Sequence, residues 1–167
     1  LADRLWAQAD TSGTPEDIAA EFVNAEKGVE SEEDALAGAR DIVAERIVEN
    51  APWRATLREL AWSRGLVSSH AARGKAETKS KFTDYYDFSE PVARIPSHRF
   101  LAILRGESEG FLSHHIGPNG DEARSLLRSL AVHKKPSIWR SHMELASDDA
   151  WDRLLSAQLE TEIRAEL

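Results

Sequence analysis

Two sets of side chains in this sequence carry the chemistry that could be built into a site: six histidines, all between His70 and His142, and a scatter of lysines and arginines through the same middle stretch. A metal needs two or more imidazoles, thiolates or carboxylates brought to one face. His114 and His115 are adjacent, which in a strand sends their side chains to opposite faces. No H-x-x-x-H or H-E-x-x-H pair occurs and there is no cysteine. The pattern therefore predicts no metal and no cofactor. Hydrolytic chemistry fares no better. Ser97, His98 and Arg99 are neighbours at a helix start and point in different directions, with Ser97 read as the N-cap. Asp84 and Asp87 flank a tyrosine pair, as in a turn that packs its rings inward, and GKAETKSK lacks the spacing of a phosphate-binding loop. We assign no catalytic residue and no small-molecule substrate, and expect a non-enzymatic chain.

The basic residues are a different matter, because the net charge of −8 hides a segregation. Residues 1–60 carry 6 Lys and Arg against 14 Asp and Glu, residues 61–143 carry 13 against 8, and residues 144–167 carry 2 against 7. The centre is basic between acidic flanks. Arg73, Lys75, Lys79 and Lys81 fall in one polar loop, Arg94, Arg99 and Arg105 surround a short helix, and Lys134 and Lys135 precede the last helix. These nine are the candidate nucleic-acid contacts, since phosphate binding asks only for Lys, Arg and exposed backbone donors. A surface of unevenly spread, solvated charge is the competing reading. Tyr85, Tyr86 and Phe88 have the rings to stack on bases, but their acidic neighbours favour packing.

Something must position these residues, and the chain has the means. Its 167 residues, 41% of them hydrophobic, suffice for one domain with a real core. No apolar run approaches the roughly 20 residues that cross a bilayer, and no signal-peptide pattern opens the chain. We expect a cytoplasmic protein without membrane contact.

The spacing predicts a mainly α fold: a multi-helix bundle with a small two-stranded β-ribbon and a long C-terminal helix. LADRLWAQ opens in helical spacing without a cap and LETEIRAEL closes without a stop, so both ends read as cut within helices of a longer protein. Residues 1–30 are expected to end a preceding helical segment, 31–135 to form the core with the ribbon, and 136–167 to lead toward a further domain. Ser31 starts a helix whose inner face is Leu36, Ala39, Ile42, Val43 and Ile47, with Asp34 three residues on as in a capping box. Asn50 and Pro52 break and restart it, and Gly65 ends the next helix as a left-handed terminator. LVSSHAA at 66–72 and FLSHHI at 111–116 read as the two strands. A helix capped by Ser97 is expected to stop at Gly106, another to start at Asp121, and the last to run from Ser137 to the end. Thirty residues would make a rod about 45 Å long. Its stripe is Ile138, Met143, Leu145, Ala146, Trp151, Leu154, Leu155, Leu159 and Ile163.

The run KFTDYYDFSEPVARIPSHRFLAILRGESEG resembles the corresponding run of the bacterial Tex family of transcription accessory proteins. FVNAEKGVESEEDALAGARDIVAERIVEN and RLLSAQLETEIRAEL are similar to further family segments in the same order, so the resemblance spans roughly residues 15–167. It implies a multidomain cytoplasmic protein with a helical N-terminal region, an RNase H-like domain, helix-hairpin-helix modules and an OB-fold RNA-binding domain. That architecture is also similar to the core of a eukaryotic elongation factor that binds histones. The chain would be the central part of the helical region: a scaffold of a nucleic-acid-binding protein, with direct nucleic-acid contact or protein docking as alternatives and transcription machinery among its partners. On this resemblance the 84–110 stretch is a structural buckle, with Tyr86, Phe88, Ile95, Phe100, Ile103 and Leu104 buried and Pro91 and Pro96 stiffening the path.

Overall fold

A computed structural model describes residues 1–167, and the chain gathers into two compact units, each assembled from two stretches of sequence. The first unit takes Leu1–Ala55 and Asp121–Leu155, the second Thr56–Gly120 and Ser156–Leu167. The fold is mainly α.

In the first unit α1 (Ala2–Ala7), α2 (Pro15–Ala19) and α3 (Glu32–Glu49) come from the first stretch; α6 (Gly120–Ala131) and α7 (Arg140–Asp149) belong to the second, followed by a π-helical turn at Ala150–Leu155. Helix α3 starts as its sequence predicts. The Ser31 hydroxyl accepts the Asp34 N–H at 3.1 Å, while the Asp34 carboxylate accepts the N–H of Glu30. Ala35, Leu36, Ala39, Val43, Ala44, Ile47 and Val48 are all buried on α3, a wide apolar face that α1, α2, α7 and the π turn cover. Ile42, expected on that face, is 47% exposed. Leu145 of α7 is likewise turned outward at 55%, whereas Trp139 and Met143 are fully buried. The continuous final α-helix expected from the spacing is interrupted here: the backbone widens over Ala150–Leu155 and buries Ala150, Trp151 and Leu155 together.

The second unit holds the end of α4 (Ala51–Arg64), strands β1 (Leu66–Ala71), β2 (Asp87–Pro91) and β3 (Leu112–Gly117), and helices α5 (Ser97–Ser108) and α8 (Ser156–Glu166). The expected two-stranded ribbon is a three-stranded antiparallel sheet in the order β2-β1-β3. The two predicted strands pair as expected, Ser69 opposite His114. The third, DFSEP, carries no strand signal in its sequence, because Asp, Ser, Glu and Pro are poor strand formers. It is tolerated as an edge: Pro91 lies opposite Leu66 at the strand end, and its carbonyl accepts the N–H groups of Arg94 and Ile95.

Helices α5 and α8 pack on β3 around a core of Ala61, Val67, Val92, Ile95, Phe100, Ile103, Ile116 and Ile163. Phe88 and Leu104 are only partly buried against it, and Tyr85 rather than the expected Tyr86 packs there, Tyr86 being half-buried, so the rings of this buckle lie nearer the surface than expected.

Three glycine and capping expectations are corrected by space. Gly65 does not adopt a left-handed conformation; a Cβ there would overlap the Ala61 carbonyl oxygen and sit 3.3 Å from the Gly117 carbonyl carbon. Gly106 lies inside α5, which runs on to Ser108, and its missing side chain leaves room for Leu112 and Phe82. Pro96 precedes that helix, and the Ser97 hydroxyl donates to the Leu167 carbonyl at 3.4 Å instead of capping.

Neighbouring residues of α5 give a direct check on this packing. Phe100 is 3% exposed and Leu101 61%. Phe100→Ala is expected to lower unfolding free energy by about 3–5 kcal/mol, and Leu101→Ala to change it by less than about 0.5 kcal/mol, read by chemical denaturation. Equal effects would contradict this orientation of the helix.

Candidate functional site

The nine predicted basic residues do not form one cluster. Lys75 and Lys81 flank an aromatic pair at one end of the second unit's sheet. The Lys75 ammonium stands 5.4 Å from the centre of the Phe111 ring and that of Lys81 5.2 Å from Phe82, with the two rings 5.9 Å apart. Lys81 also lies 3.5 Å from the Glu109 carboxylate. Arg73 and Lys79 are exposed in the same loop, and Arg105 is exposed on α5 one turn before Glu109. Arg94 and Arg99 sit toward the other end of the sheet, where Arg99 pairs with Glu90 at 3.1 Å. Lys134 and Lys135 belong to the first unit. Lys134 lines an open cavity of about 330 Å³ with Arg128, Arg140 and Glu144, where the Arg140 guanidinium donates to the Lys134 carbonyl at 3.1 Å. Arg128 is committed to Asp148 and Glu144.

The aromatic candidates face inward in part. Tyr85 meets Phe88 edge to face at 5.2 Å, and the Tyr86 hydroxyl donates to the Thr78 carbonyl at 2.6 Å, fastening the basic loop to the turn. The adjacent histidines take opposite faces. The His114 side chain is 3% exposed, its Nδ1 against Glu107 and its Nε2 3.8 Å from Glu160, while that of His115 is 61% exposed. No three His, Cys, Asp or Glu side chains converge closely enough to hold a metal ion.

The most heavily used polar groups are ones that sequence reasoning passed over. Gln8, in the left-handed conformation at φ 54°, ends α1 and is 5% exposed. Its amide donates to the Ala131 carbonyl at 3.0 Å and accepts the His133 N–H at 2.9 Å, supplying partners where α6 ends. Asp10 accepts the Trp139 indole N–H at 2.8 Å and an Arg4 N–H at 2.9 Å, and its carbonyl accepts the Ile138 N–H at 3.0 Å. Together these residues clasp the 131–139 segment. Nothing in a Gln between two alanines signals such a role.

Both the clasp and its neighbourhood respond to protons. The Arg4 hydrogen bond, and then that of Trp139, hold the Asp10 carboxyl below its usual range. Burial, followed by the charge of Arg40, lowers the His142 imidazole. Arg40 donates to His142 Nδ1 at 2.9 Å, which fixes that nitrogen as an acceptor.

The protein is mainly α with one three-stranded sheet, and many of its charged and polar side chains bond to one another or to its own backbone. A family model described as Tex central region-like matches residues 10–167, and the chain belongs to the Tex family. It is 42% identical over 121 residues to Protein tex of Bordetella pertussis, covering 72% of this chain and 15% of that protein. Protein YhgF of Escherichia coli K12 is 45% identical over 124 residues, 73% of this chain and 16% of its own length. Transcriptional accessory protein Tex of Neisseria gonorrhoeae is 39% identical over 116 residues, 68% and 14% respectively. The matched part of the chain thus spans only 14–16% of the length of these relatives. No helix is long and apolar enough to cross a membrane.

Gln8→Ala leaves two backbone groups without their partner and is expected to cost about 1–3 kcal/mol, measured by denaturation monitored at tryptophan. The pH dependence has a definite sign. His142 and Asp10 both bind protons more readily when unfolded, so their stabilisation is complete at high pH and declines as pH falls, first below about 6.5 for His142 and then below about 4 for Asp10. His142→Gln should flatten the first decline and Asp10→Asn the second; an unchanged profile in both would show that these groups do not govern the acid limb.

Proposed function

We propose that this chain is a non-catalytic helical scaffold within a cytoplasmic, Tex-like transcription accessory protein, holding nucleic-acid-binding modules of the longer protein in place. The observation that carries this reading is the use of Gln8, Asp10, Arg128 and Tyr86 as internal fasteners. The name of the Neisseria relative and the small share of each relative that the chain spans are consistent with it. The second reading is an auxiliary phosphate contact by the loop that carries Arg73, Lys75 and Lys79, favoured by Lys75 standing over the Phe111 ring.

Fluorescence anisotropy with single- and double-stranded RNA and DNA from about 50 to about 300 mM salt separates the two. The scaffold reading expects weak binding by this chain and strong binding by the full-length protein. Tight binding by this chain, with a steep salt slope that is flattened when Arg73, Lys75 and Lys79 are changed to Glu, would overturn the scaffold reading in favour of the second.

A further inference from the structure

Ile42, which its spacing would bury, is exposed because it forms one wall of a groove in the first unit. The groove has a volume of about 270 Å³, and Leu1, Ala2, Phe22, Val29, Ala35, Gly38 and Ala39 line it with Ile42. Of the large apolar side chains that are exposed anywhere in the chain, Phe22 at 40% and Ile42 at 47% line this groove, and Val23 at 36% adjoins Phe22. Such a concentration of exposed apolar surface around a concavity is characteristic of a binding face. Gly38 lies open at its floor, since a Cβ there would meet no atom within 4 Å.

The surroundings narrow the occupant. Asp34 lines the groove itself. Residues 21–45 carry eight carboxylates, all exposed, against Lys27 and Arg40, and Arg40 is already paired with Glu33 at 2.6 Å. An apolar groove with the Asp34 carboxylate in its lining, set in so acidic a segment of the chain, disfavours phosphate and matches a helix that is apolar on one face and cationic on the other. We propose that this groove docks a basic amphipathic helix of a protein partner, with its apolar anchors between Phe22 and Ile42 and its lysines or arginines toward Asp34 and the acidic segment around it.

Gly38→Leu provides the test, because leucine fills open space and has the higher helix propensity, so the variant should fold at least as well as the parent. The probe is a synthetic helix with leucines at positions i, i+3, i+4 and i+7 and lysines elsewhere, titrated against the 167-residue chain. Binding is expected, and Gly38→Leu should weaken it at least about tenfold, with thermal stability held or raised. Ile42→Lys is a second variant with the same expected loss. Equal binding of a leucine-glutamate helix would overturn the charge matching, and no binding of either peptide would overturn the proposal. Sedimentation equilibrium adds a further outcome: a dimer that Gly38→Leu dissociates would assign the groove to a second copy of the chain and also overturn it.

Discussion

The carboxamide of Gln8 satisfies a carbonyl and an N–H that lie more than 120 residues away in sequence, and the first unit depends on that bridge. Helix α6 must end somewhere, and a buried helix end without hydrogen-bond partners is costly. Gln8 receives the end of α6, and two residues further Asp10 receives the indole of the fully buried Trp139. The left-handed turn at Gln8 is thereby held by what its side chain does. Both stretches of the unit are needed before either is complete.

The second unit meets the same constraint with different means. Its C-terminal stretch contributes Ile163 to the core, and the Arg58 guanidinium on α4 bonds the Glu162 carboxylate of α8 at 2.8 Å. Between them the sheet is confined by close approach. Gly65 and Gly106 have no room for a side chain, the first against backbone and the second against Leu112 and Phe82. Here steric exclusion does what hydrogen bonding does in the first unit. A fold closed by contacts so distant in sequence must meet its loop-closure entropy before those contacts can offset it.

Charge follows from this organisation. Arg128 and Arg99 of the middle segment are drawn into pairs with carboxylates on neighbouring elements, whereas Arg73, Lys75 and Lys79 stay together in one loop. The acidic excess of the first sixty residues is mostly free, and on α3 it borders exposed apolar side chains. Solvation favours that arrangement for isolated carboxylates but not for Phe22 and Ile42, whose exposure carries a hydrophobic cost.

Local physical chemistry was enough to place α3, α4 and α6 in the sequence, but not the π turn at Ala150–Leu155 or the true end of α5. The Ser31 cap, the Asn50 and Pro52 restart and the two glycine-bounded strands follow from hydrogen bonds and backbone preferences that span a few residues. The family was legible too, in three blocks of the chain. What the tertiary structure alone decided was whatever depends on residues far apart: DFSEP as a strand, because only its pairing with β1 overrides its poor propensity; the outward turn of Ile42 and Leu145, because neighbouring helices choose which side of a stripe is covered; and the clasp of Gln8 and Asp10. It also decided that the basic candidates lie at separate places. A sequence records which side chains can carry charge or donate a hydrogen bond, but partners more than a hundred residues apart are chosen by packing, where long-range closure and excluded volume act.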